Sequence, residues 1–206
     1  ILDAFAAAHR PHASIVGVPD HIPAVAGLLL QREIEVIGEA LDCPERPLAA
    51  LLGGAKVSDK IKILEALLGK VDALFVGGGM AATFLKAQGK PTGDSLVEDE
   101  LVGYAADLLA RAKKSGVDFH LPEDVVVASD VEPTPSRVET LDVEHIPDGF
   151  KIVDIGPLTS QIFSDELSLC KTIIWNGPMG VFEYDLFSSG TKLVCEALAS
   201  LDAVTI

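Results

Sequence analysis

Four short, mainly apolar runs punctuate the chain: Leu48–Leu52, Ala73–Val76, Lys151–Ile155 and Thr172–Trp175. Runs of this length with little polar alternation predict strands buried on both faces. Between them, apolar residues recur at intervals of three and four, which predicts helices over 57–68, 80–88, 95–115, 158–169 and 185–201, with Gly69 and Gly116 as stops. An earlier helix is predicted from Pro23 to Leu41, because proline suits a first turn and Leu30, Ile34, Ile37 and Leu41 keep helical spacing up to Pro44 and Pro47. Residues 1–18 read as a loop with at most one strand, and Glu132 to Pro147, polar and proline-containing, as a loop or weak hairpin. Strands alternating with helices predict an α/β fold, a three-layer α/β/α Rossmann-like arrangement around a parallel sheet.

Composition narrows the possibilities. The 206 residues are 49% hydrophobic and 23% charged, which excludes a disordered chain, and no apolar run is long enough to cross a bilayer. A net charge of −15 without any Lys/Arg-rich run argues against nucleic-acid and anionic-membrane partners. Cys43, Cys170 and Cys195 lack the spacing of a disulfide framework or zinc cage, so a reducing cytoplasm is expected. The chain opens at Ile1 without an initiator Met or signal-peptide pattern. It closes on Asp202-Ala203-Val204-Thr205-Ile206, which reads as the start of a strand; both ends are expected to be cuts within a longer protein.

The candidate chemistry lies where the predicted strands end. All four run into glycine-bearing turns: Gly53-Gly54-Ala55-Lys56, Gly77-Gly78-Gly79, Gly156-Pro157 and Asn176-Gly177-Pro178-Met179-Gly180. In an open parallel sheet, ligands bind beyond the carboxyl ends of the strands, and missing side chains let them approach the backbone. Any one such turn could equally be a tight connection; four together point to a shared crevice. Neither a GxxxxGK[ST] loop nor a GxGxxG fingerprint occurs, which removes the commonest NTPase and dehydrogenase readings. Lys56 and Lys60 stand four apart where a helix is predicted to begin, so both are expected on one face, able to grip phosphate oxygens; spacing alone fits solvated surface as well. His12, His21, His120 and His145 read as ordinary surface, and Trp175 and Phe182 as core aromatics rather than base-stacking platforms.

The ordered set Leu51-Leu52-Gly53-Gly54-Ala55-Lys56-Val57-Ser58-Asp59-Lys60, Gly77-Gly78-Gly79-Met80 and Trp175-Asn176-Gly177-Pro178-Met179-Gly180-Val181-Phe182-Glu183 resembles the phosphoglycerate kinase family. Asp3-Ala4-Phe5, Ala8-His9-Arg10, Pro23-Ala24-Val25-Ala26-Gly27, Asp154-Ile155-Gly156-Pro157 and Gly190-Thr191-Lys192 extend the resemblance over essentially the whole chain. It implies reversible transfer of the acyl phosphate of 1,3-bisphosphoglycerate to Mg·ADP, giving 3-phosphoglycerate and ATP in glycolysis, by a cytoplasmic monomer whose two domains close on a hinge. A non-catalytic nucleotide-binding or scaffold module of the same fold is the alternative.

By this resemblance, residues 1–22 belong to the substrate-binding domain, 23–41 to an interdomain helix and 42–206 to an incomplete nucleotide-binding domain. Lys56 matches the lysine that tracks the transferring phosphoryl group, a role suited to charge spread over that group's oxygens. Lys60 and Gly54 match positions at the nucleotide phosphates, Gly78 and Gly79 one wall of the adenine pocket, and Asn176, Pro178, Gly180 and Val181 the opposite wall. Glu183 matches the carboxylate that accepts from ribose hydroxyls. Arg10, with His9 beside it, matches the basic patch holding the phosphoglycerate, where a planar guanidinium suits phosphate or carboxylate. Ile152 departs from the glycine common in the family near the adenine, so a more apolar pocket edge is expected. Magnesium would arrive with the nucleotide, the family's metal-binding aspartate lying outside this chain, and the chain alone is expected not to turn over.

Overall fold

Helix α1 (Leu28–Asp42) begins later than the predicted Pro23. The reason is backbone pairing: the Leu2 N–H donates to the Val25 carbonyl at 2.9 Å and the Gly27 N–H to the Leu2 carbonyl at 2.7 Å, which holds Pro23–Gly27 extended. The Asp3 carboxylate then accepts from the Leu30 N–H at 2.9 Å and caps the helix from a distant segment. Instead of a strand, residues 1–22 form 3-10 turns at Phe5–Ala7 and Val18–Asp20 and a π turn at Ala13–Gly17. The computed structural model describes residues 1–206, and these residues 1–44 make up the first of two units; the second is Glu45–Ile206.

In the second unit the elements run β1 (Leu48–Leu52), α2 (Ile61–Leu68), β2 (Ala73–Val76), α3 (Ala81–Ala87), α4 (Val102–Ser115), β3 (Asp118–His120), β4 (Asp124–Ala128), β5 (Val138–Asp142), β6 (Lys151–Ile155), α5 (Pro157–Leu167), β7 (Thr172–Asn176), α6 (Ser189–Ala199) and β8 (Val204–Thr205). A parallel sheet has the order β3-β2-β1-β7-β8, with β1 at its centre and every β1 residue buried. Its registers place Leu51 beside Phe75 of β2 and Trp175 of β7. One face packs Ala49, Leu51, Phe75 and Ile173 against Phe163 and Leu167 of α5 and Val194 and Leu198 of α6. Leu48, Ala50, Leu52, Leu74 and Val76 are also fully shielded, so both faces are covered, as the continuous apolar runs require.

The parallel arrangement does not extend to Lys151–Ile155. That run, as β6, belongs to a separate antiparallel sheet of order β5-β4-β6 with a bulge between Val126 and Val127. Ala82 and Leu85 of α3 pack with Val125, Val127, Phe150 and Ile152 beneath it, whereas Ala128 and Val153 pack with Phe187. The segment read as a loop or weak hairpin contributes β5, the second arm of a hairpin with β4. His120 is not a surface histidine: it is half-buried at the end of β3 and stacks on Phe75 with centroids 4.4 Å apart, and burial lowers its pKa. No helix is long and apolar enough to cross a membrane.

Two aspartates fasten the antiparallel sheet to the helices. Asp124 of β4 accepts from the N–H groups of Leu158 and Thr159 at 3.1 and 2.7 Å and from the Thr159 hydroxyl at 2.7 Å, at the start of α5. Asp154 of β6 accepts from Gly190 N–H at 2.7 Å, at the start of α6, and from Ile155 N–H at 2.9 Å. Each puts a carboxylate at the positive end of a helix.

Candidate functional site

The turns after β1, β2 and β7 interlock through their main chains. Gly53 N–H donates to the Asn176 carbonyl at 3.0 Å and Gly54 N–H to the Pro178 carbonyl at 3.0 Å. Gly78 N–H donates to the Met179 carbonyl at 2.9 Å and Met80 N–H to the Gly54 carbonyl at 3.0 Å. At Gly78 a side chain is doubly excluded, because φ is +66° and a Cβ would lie 2.7 Å from both the nitrogen and the oxygen of Gly54. Its glycine therefore serves the packing of one turn on another before it serves a ligand. The fourth glycine turn, Gly156-Pro157, does not join this lattice; it opens α5, on the antiparallel side.

Beside the lattice lies a cavity of about 440 Å³. Gly54, Gly78, Gly79, Pro178, Gly180, Val181 and Glu183 line it, whereas Asn176 is not among its lining residues. Ala55, Leu96, Val131, Lys151, Ile152 and Val153 also line it, and of these only Ile152 carries a sequence-based expectation. Ile152 is 9% exposed and packs mostly into the core beneath β4, so it serves as an apolar floor more than as an edge. Phe182 overturns its reading as a core aromatic: it is 51% exposed and lines the cavity. Trp175 does pack against the core, with its indole N–H donating to the Gly177 carbonyl at 2.7 Å.

The lysines are placed by a turn rather than by a helix face. α2 begins only at Ile61, after a turn closed by Lys60 N–H donating to the Val57 carbonyl at 2.8 Å. Lys60 is partly buried and donates to Asn176 Oδ1, which joins the turns after β1 and β7. Burial lowers its pKa, opposed by the Asp59 charge. Lys56 is exposed, next to Val57 and Ser58, whose N–H groups donate to Glu98 Oε2 at 2.6 and 3.1 Å. Burial acts to raise the Glu98 pKa, but hydrogen bonds from Ser58 and Val57 and the Lys56 charge outweigh it and hold the carboxyl below its ordinary value. Glu98 carries no sequence signal of this role, being one of several acids in a loop. Behind the Gly180 wall, burial pushes Asp154 up to about 6 despite its two backbone donors. His9 and Arg10 are exposed in the first unit, the Arg10 N–H donating to the Ala7 carbonyl at 2.9 Å.

Chemically, the second unit offers a mainly apolar cavity with the Glu183 carboxylate in its lining, and two ammonium groups on the turn beside it. A family model described as phosphoglycerate kinase matches residues 1–206. The phosphoglycerate kinase of Herpetosiphon aurantiacus is 52% identical over 99% of this chain and 52% of its own length, and that of Moorella thermoacetica 50% identical over 99% and 52%. Among solved structures, phosphoglycerate kinase from Coxiella burnetii superposes with a TM-score of 0.89 at 43% identity, covering 98% of this chain and 52% of that one. The enzyme from Pyrococcus horikoshii gives 0.84 at 31%, covering 98% and 51%. The chain thus spans about half the length of the relatives it matches, and along all of that span it belongs to the phosphoglycerate kinase family.

Proposed function

We propose that residues 42–206 provide the nucleotide side of an enzyme that transfers the acyl phosphate of 1,3-bisphosphoglycerate to Mg·ADP, yielding 3-phosphoglycerate and ATP, and that residues 1–22 and 23–41 belong to its substrate domain and connecting helix. The observation that carries the nucleotide assignment is the cavity whose glycine turns lead to Lys60 and Lys56. A base fits the cavity that Gly78, Gly79, Pro178 and Val181 line, and Glu183 accepts from ribose hydroxyls. The diphosphate, with its Mg²⁺, extends along Gly54 toward Lys60. Lys56 follows the phosphoryl group as it moves, its ammonium balancing charge that is spread over three oxygens in flight. Arg10 and His9 hold the phosphoglycerate. The Lys60–Asn176 bond supports this reading, since it parks the ammonium at the crevice and phosphate oxygens can replace the amide as a stronger, charged acceptor.

Turnover is assigned to the whole enzyme, a monomer of the cytoplasm; this chain alone is proposed to bind without turning over. Calorimetric titration of Mg·ADP tests the assignment. Lys60→Ala is expected to weaken binding about tenfold, as loss of one charge-assisted phosphate contact does, without changing stability measurably. Equal affinities for the two chains would remove Lys60 from the site.

A further inference from the structure

The loop between α3 and α4 reaches β6, α3, the cavity and the turn before α2. Ser95 Oγ accepts from Ile152 N–H at 2.9 Å, tying the loop to β6 under the cavity floor. Leu96 lines the cavity itself, and Val97 packs against the core shared by α3 and the antiparallel sheet. Glu98 is anchored through its own N–H, which donates to the buried Thr83 hydroxyl of α3 at 3.1 Å. Its side chain crosses to the phosphate side, where one carboxylate oxygen accepts both the Val57 and the Ser58 N–H groups. Two converging N–H donors on one ionised oxygen form a short, directional, charge-assisted contact. The residue held next to it in the chain is Lys56, whose charge also faces Glu98. The neighbouring acid Asp99 is engaged elsewhere, with Lys86 at 2.7 Å, so Glu98 has this turn to itself.

We propose that Glu98 is a positioning residue for phosphate handling: it fixes the Val57–Ser58 turn so that Lys56 and Lys60 meet the nucleotide's phosphates, while the same loop, through Leu96, sets the base end of the cavity. The inference rests on the nucleotide reading above. Glu98 touches no reacting atom; it acts through the backbone that carries the lysines.

Binding of Mg·ADP and of adenosine to the full 206-residue chain separates this role from general support of the fold. Glu98→Ala is expected to weaken Mg·ADP about tenfold and to leave adenosine within about twofold, because only the phosphate end loses its bracing. In amide spectra the Val57 and Ser58 signals should move. Glu98→Gln, whose amide oxygen can accept the same two bonds, should recover most of the Mg·ADP affinity. Unchanged Mg·ADP affinity in Glu98→Ala, or equal losses for the two ligands, would overturn the proposal. An unsubstituted chain silent toward both ligands would instead overturn the nucleotide reading and this inference with it.

Discussion

Where β1 and β2 reach the cavity they present mainly glycine main chain, in turns bonded to one another and to the turn after β7. Where β6 and the loop after β4 reach it they present side chains, among them Ile152, Val153, Lys151 and Val131. The first kind of wall suits phosphate and the thin edge of a base, which need nearby cations and close approach. The second suits the face of a base, which needs apolar area. One parallel sheet could supply the first wall alone. The second requires a sheet turned against it, and that sheet must be tied down, which is the work of Asp124 and Asp154 at the starts of α5 and α6.

If that fastening matters, breaking it should be costly. Asp124→Ala strands the buried N–H and hydroxyl of Thr159 and should lower stability by about 3 kcal/mol in urea denaturation; a loss under 1 kcal/mol would mean the sheet is held by its apolar contacts. On the other wall, Gly78→Ala meets both a left-handed φ and the Gly54 backbone, and should cost about 3 kcal/mol. Gly116→Ala, with φ +73° but open space around it, should cost only about 1 kcal/mol, so the difference between the two measures the lattice rather than the dihedral. Equal costs would dissolve the distinction.

The remaining prediction concerns Asp154 and is a matter of sign. Its folded pKa of about 6 lies above the ordinary 3.8, so between those values the folded chain binds more protons than the unfolded one. Its contribution is then most favourable below about pH 4 and declines as pH rises through 6, by on the order of 3 kcal/mol. Asp154→Asn should lack that slope, and the stability difference between the two chains should shift toward the substituted one across this range. Curves that stay parallel from pH 4 to 7 would show that the Gly190 and Ile155 donors already compensate for burial.

The same contrast explains which features were legible in the sequence. Strands β1, β2 and β6 match their apolar runs to the residue and β7 within one, because strands covered on both faces leave little room for polar residues. β5 has alternating half-exposure on an edge and carries Glu139, Thr140 and Asp142, so its pattern is that of a loop. β6 is legible as a strand but its membership of the antiparallel sheet is not, since pairing direction leaves no mark in an apolar run. Within the cavity, glycines announced the backbone wall. Leu96, Val131 and Glu98 come from loops whose local pattern says nothing of what lies across from them, and Phe182 has the same apolar character whether it fills a core or faces a slot. The start of α1 depended on Asp3 and Leu2, far away in the chain.

The interlocked turns also bear on the thermodynamics of ligand entry. Loops that bind phosphates often give up conformational freedom when the ligand arrives, and affinity is reduced by that ordering. Here Gly53, Gly54, Gly78 and Met80 already spend their amides on neighbouring turns, so little disorder remains to be lost. The crevice is preorganised where these turns meet, and adaptation to a ligand falls to side chains such as the exposed Phe182 and Lys56, which can change rotamer without disturbing a single backbone bond of the lattice.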